Sequence, residues 1–120
     1  MVSMAHHVRV FVPAGSDAVA VKAAKQLDYV NNDLILNATI KGDLDLNLDG
    51  ALDGPNEKAG DPALKARMDF VGLNYYSVSQ VIPTTVKNAA GATIQGLPID
   101  TNDPNAKYTD LKWEIRPSGI

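Results

Sequence analysis

Residues 69–82, DFVGLNYYSVSQVI, form a nearly unbroken run of apolar and aromatic side chains, whose polar members after the leading aspartate are all uncharged. The run is too short for a typical buried helix and rich in Val, Phe and Tyr, so it reads as a strand buried on both faces, ending at Pro83. Such a strand cannot stand alone: each apolar face needs a cover and each edge a partner. The segment Asp69 to Tyr76 carries that demand most strongly.

The partners are sought upstream. His7-Val8-Arg9-Val10-Phe11-Val12 is short, β-branched and halted by Pro13, Ala14 and Gly15, which is the pattern of a strand and turn. Ser16 or Asp17 offers an N-cap to a helix whose face carries Ala20, Ala24, Leu27, Leu34 and Ala38. A bend is expected near Asn31-Asn32-Asp33, where short polar side chains compete for backbone groups, and an end at Gly42. Strand, helix and second strand make a βαβ unit with parallel strands, so the expected class is α/β. Beyond Pro83, Thr84 to Ile94 reads as a hairpin turning at Asn88-Ala89-Ala90-Gly91, and Gly96 to Lys107 as a long loop beside the site. Two parallel strands leave the sheet uncovered, and Pro117-Ser118-Gly119 is the kind of sequence that introduces a further element. The expectation is therefore one partial domain over residues 1–120, with an acidic loop at 43–62.

Composition excludes several roles. With 11 basic against 14 acidic residues the net charge is −3, which lacks the footprint of a nonspecific nucleic-acid binder. Without cysteine there is no disulfide framework and no thiolate metal site. No apolar run approaches the roughly 20 residues of a membrane helix, and Met1 to Val12 lacks the form of a signal peptide, so no membrane partner is expected and the cytoplasm is the favoured compartment. His6 and His7 are adjacent and point to opposite sides of a strand, which argues against a shared metal site.

The loop invites a separate reading. Asp45, Asn47, Asp49, Gly50 and Asp53 occupy positions one, three, five, six and nine of a calcium-loop template. Position twelve is Asn56, with Glu57 one residue late, so the match is incomplete; the expected cofactor is at most a structural calcium, and no other is required. Asp, Asn and Gly also gather in loops for turn chemistry alone.

Two motifs, MDFVGLNYYS and YTDLKWEIRPSGI, stand in that order, and upstream of them run HVRVFVPA and AAKQLDYVNNDLILNATIKGDL. Together they resemble glycoside hydrolase family 1, the β-glucosidase family, over nearly the whole chain. The resemblance implies a fragment of a (β/α)₈ TIM barrel covering roughly strands five and six, with reaction chemistry at the carboxyl ends of the strands. It implies retaining hydrolysis of β-glycosides, in which two carboxyl groups about 5 Å apart act as acid/base and nucleophile. The family carries these in an Asn-Glu-Pro motif and an Ile-Thr-Glu-Asn-Gly motif, and neither is present; Asn56-Glu57 follows Pro55 in the acidic loop and is followed by Lys58. No catalytic residue is thus assigned. What the resemblance carries over is substrate binding by Asn74 and Tyr76, with the Tyr76 phenol directed at the nucleophile.

By the same resemblance Trp113 packs and Glu114 anchors the segment before strand seven, while glycine is usual where Lys112 stands. Asp69 reads as a cap or ion-pair partner and Gly72 as a point of close packing. The chain alone is expected to be inactive, its partner in the complete enzyme being a β-glycoside. The alternative is a small noncatalytic calcium- or carbohydrate-binding module with its aromatic residues in the core.

Overall fold

A computed structural model describes residues 1–101 and 103–117 of the chain. A strand β1 (Ser3–Pro13) leads into helix α1 (Ala18–Asp28), and two more strands follow, the long β2 (Phe70–Lys87) and the shorter β3 (Thr93–Asp100). They form one sheet in the order β1-β2-β3, parallel between β1 and β2 and antiparallel between β2 and β3. The parallel βαβ pairing expected from the sequence is present, as is the hairpin, whose turn is closed by Asn88 N–H donating to the Ala92 carbonyl at 2.9 Å.

Asp17 starts α1: its carboxylate accepts from the amides of Val19 and Ala20 at 3.0 Å each. After Asp28 the helix widens into π turns at Tyr29–Asp33 and Asn37–Lys41, separated by a short helix α2 (Leu34–Leu36). The polar run at the bend has a structural use. Asn32 accepts from the Arg9 amide at 3.0 Å and donates to the Arg9 carbonyl at 2.8 Å, and Asn31 donates to the His7 carbonyl at 3.1 Å. Side chains thereby occupy backbone groups along the outer edge of β1, which would otherwise be unpaired. Gly42 ends the segment at φ 87°, and a Cβ there would lie 2.6 Å from the Asp61 carbonyl oxygen, so only glycine fits.

The core is small and off-centre. Ala23, Ala24 and Leu27 of α1 pack on Val81, with Phe11 and Ile94 beside them. That contact covers only the far part of β2, and the expectation of a strand buried on both faces is corrected for its first half. Phe70, Leu73 and Tyr76 are each about half exposed. Gly72 is likewise no close-packing point, its nearest neighbour to an added Cβ being the Met4 carbonyl at 3.8 Å. Asp69 does act as a partner at the strand entrance, accepting from the Val2 amide at 2.6 Å.

Pro83 was expected to end its strand and Pro98 falls in the expected loop, yet both lie within strands. β2 runs through Pro83 because β1 has already ended opposite Val81, so on that side no strand asks Pro83 for an amide. The cost shows as a register shift between Pro83 and Val86. Pro98 sits in β3, an edge strand where a missing donor is tolerated. Gly96 to Asp100 is consequently strand rather than loop. The element expected after Pro117 falls outside the described residues.

Candidate functional site

The β1–β2 ladder carries one irregularity. Val8 pairs with Tyr75 and Val10 with Val78, so Tyr76 and Ser77 both stand opposite Arg9. A bulge of this kind turns a side chain out of the regular alternation and is common beside functional sites. Tyr76, Ser77 and Val78 in succession line one pocket of about 350 Å³, together with His7, Arg9 and Trp113. No residue of α1 borders it.

Aromatic rings set the pocket wall. The Tyr76 ring meets the edge of His7 at 5.3 Å between centroids and 63° between planes, and meets Trp113 at 5.5 Å and 55°. Such tilted pairs each contribute about 0.5–1.5 kcal/mol beyond burial and fix ring direction. Among the described residues no hydrogen bond uses the Tyr76 hydroxyl, so the phenol remains able to donate. Asn74, the second carried-over residue, is half-buried two positions earlier on β2, paired in register with His7. It is absent from the pocket lining, so the structure brings Tyr76 to the pocket and leaves Asn74 beside it.

Trp113 reaches Tyr76 on a tight turn. The Thr109 amide donates to the Trp113 carbonyl at 2.9 Å, the Lys112 amide to the Thr109 carbonyl at 2.9 Å, and Lys112 itself adopts φ 65°. The backbone here has the left-handed form that a glycine takes without cost, and a lysine holds it. Glu114 secures the turn. Its buried carboxylate accepts from the Thr101 hydroxyl at 2.5 Å and pairs with Arg116 Nε at 2.8 Å. Tyr75 donates to the Arg116 carbonyl at 2.9 Å; burial pushes its phenol above the ordinary tyrosine range, opposed by Arg116 and aided by Glu114. Glu114 is thus committed to the protein, as the anchoring role anticipates.

The two histidines diverge. His6 is buried with Nε2 3.0 Å from the Asn32 carbonyl, whereas His7 is exposed against Tyr76.

The calcium reading of Asp45, Asn47, Asp49 and Asp53 does not take the form of a ligand cluster. Asp45 accepts from the amides of Leu48 at 2.6 Å and Gly50 at 2.8 Å, Asn47 from Asp49 at 3.0 Å, and Asp49 from Ala51 at 2.8 Å. Glu57, one residue past the template's last position, turns inward instead and accepts from Leu46, Asn47 and Gly54. Its charge organises the loop from within. Among the described residues no group of three or more His, Asp or Glu side chains is placed to hold a metal ion. The Tyr29 phenol is pushed well above the ordinary range, by burial first and by the Asp45 carboxylate second.

Sequence reasoning missed His7, Arg9 and Lys112 as pocket residues and took Trp113 only as packing. His7 and Arg9 alternate on one strand, a spacing that puts them on a common face.

An aromatic-walled pocket with polar groups at its margin, carried on a parallel βαβ unit, defines an α/β protein with a candidate ligand site. The model of one family, described as Glycosyl hydrolase family 1, matches residues 1–120, and the chain belongs to that family. The comparison with curated proteins gives no match.

Proposed function

We propose that the chain is the part of a retaining β-glycosidase, acting on β-glucosides or related β-glycosides, that spans roughly strands five and six of its barrel. The observation that carries this reading is the Tyr76 phenol, held between His7 and Trp113 at a bulge and left able to donate. A phenol donating to a carboxylate fixes its orientation and favours its ionised form, which is what an attacking carboxylate needs before it reaches the anomeric carbon. Asn74, beside it, would bond polar groups around the sugar.

The half-exposed Phe70, Leu73, Ile82 and Leu97 support the barrel reading, since neighbouring strands and helices would cover them. In a closed barrel the adjacent strand would take over the His7 and Arg9 edge groups that Asn31 and Asn32 hold here. The chain by itself carries neither reacting carboxylate motif, so its contribution is the pocket wall.

The coding sequence on either side of these residues tests the proposal. An Asn-Glu-Pro motif upstream and a Thr-Glu-Asn-Gly motif downstream, in the same frame, are the expected result. Flanks that read continuously through unrelated domains would defeat it.

A further inference from the structure

Tyr76 stands where the ladder does not fix its direction. It shares the place opposite Arg9 with Ser77, and at such a bulge the regular alternation of side chains is interrupted. Burial does not fix it either, since the residue is half exposed. What remains are two neighbouring rings. Trp113 lies 5.5 Å away on a turn outside the sheet, and His7 lies 5.3 Å away, in a T-shaped arrangement, on the adjacent strand β1.

The backbone that carries the His7 ring is gripped from both edges. On one side His7 is paired in register with Asn74, two positions before Tyr76. On the other its carbonyl accepts from Asn31 Nδ2 at 3.1 Å, and Asn31 is held in turn by donating to Asn32 Oδ1 at 2.9 Å. Asn32 brackets the Arg9 amide and carbonyl, and its own carbonyl lies 3.0 Å from Nε2 of the buried His6. An adjacent barrel strand that took over these edge groups would grip His7 in the same manner. Among the described residues the His7 ring makes no hydrogen bond or ion pair, and Tyr76 is the ring it meets. A fixed ring thus faces one whose direction the strand leaves open.

We propose that His7 is a positioning residue: its ring, anchored on β1, holds the Tyr76 phenol in the direction from which it donates to the attacking carboxylate, and it acts through that hydroxyl. The inference rests on the role proposed for Tyr76 and adds the group that keeps the phenol aimed.

The test is a double-mutant cycle in the complete glycosidase that contains this chain, comparing the unmodified enzyme, His7→Ala, Tyr76→Phe and the double variant for kcat/KM on phenyl β-glucoside, with His7→Phe beside them. A ring pair of this kind corresponds to a roughly three- to tenfold change, so His7→Ala should lower kcat/KM by that factor. His7→Phe keeps a ring and loses the imidazole nitrogens, and it should stay within about twofold of the unmodified enzyme. In the Tyr76→Phe background no hydroxyl is left to aim, so there His7→Ala should change kcat/KM by less than about twofold; any cost of the truncation to folding is common to both backgrounds and cancels. Equal losses in the two backgrounds, an undiminished kcat/KM in His7→Ala, or a loss in His7→Phe as deep as in His7→Ala overturns the proposal and leaves Tyr76 in its role. A Tyr76→Phe enzyme as active as the unmodified one overturns the role of Tyr76 instead, and the proposal with it.

Discussion

Replacing Tyr76 by Phe in the complete enzyme removes one oxygen and almost nothing else. The ring contacts to His7 at 5.3 Å and Trp113 at 5.5 Å do not involve the hydroxyl, and no hydrogen bond among the described residues is lost. Stability should therefore change by less than about 0.5 kcal/mol. Activity should not be spared. A hydrogen bond to a charged group contributes about 1.5–3 kcal/mol, which corresponds to a fall in kcat/KM of roughly ten- to hundredfold on an aryl β-glucoside. The pH profile gives a second readout. A donor to the nucleophile favours its ionised form and lowers its pKa, so loss of the donor raises that pKa and moves the acid limb of kcat/KM to higher pH. Steady-state kinetics across pH, with a melting curve as control, measures all three. A fall below twofold, or a fall that tracks a lost melting temperature, would refute the reasoning.

Three further outcomes follow from packing and charge. Gly96→Ala should destabilise the chain by about 1–3 kcal/mol in urea unfolding, because the added Cβ would lie 2.6 Å from Val81 Cγ1 and 3.3 Å from the Ala23 carbonyl at the centre of the core. Glu114→Gln should cost about 1 kcal/mol, the ion pair being discounted for an Arg116 side chain about one-third exposed, and should loosen Trp113, read as a red shift of its fluorescence. Tyr29 has a phenol pKa raised by folding, so its contribution is whole below the unfolded value of about 10 and is lost as pH rises from there towards the folded one; Tyr29→Phe should flatten that alkaline loss in a pH series of unfolding curves.

Much of the fold was legible because local chemistry decided it. The Asp17 cap, the widening at Asn31-Asn32-Asp33, the Gly42 stop and the Asn88 turn each follow from a side chain or a φ value acting within a few residues. What was not legible depends on neighbours distant in sequence. Pro83 looks like a terminator until one knows that β1 ends two residues short of it in register, and Pro98 until β3 is known to lie at an edge. The apolar run at Phe70 to Tyr76 was read as buried because periodicity reports what a segment can bury, while α1 reaches only the Val81 end.

The site divides in the same way. Tyr76 came from a motif, and the bulge that turns it into the pocket belongs to a pairing between strands more than 60 residues apart in sequence. Its companions His7, Arg9 and Trp113 converge from two further segments, and nothing local in any of them announces the others. Lys112 is the instructive case. Glycine is usual in the family where it stands, and the turn here has the left-handed form, φ 65°, that a glycine takes without cost, so the lysine bears the strain. In the acidic loop the candidate oxygens are spaced as a ligand set would space them, but those of Asp45, Asn47 and Asp49 accept from amides of the same loop.

The central claim is that this chain supplies a glycosidase pocket wall without the reacting carboxylates. It is tested most directly by incubating the purified 120-residue chain, made in a host strain lacking β-glucosidase, with an aryl β-glucoside. The account predicts no release of the phenol above buffer. Sustained turnover by the chain alone would contradict it.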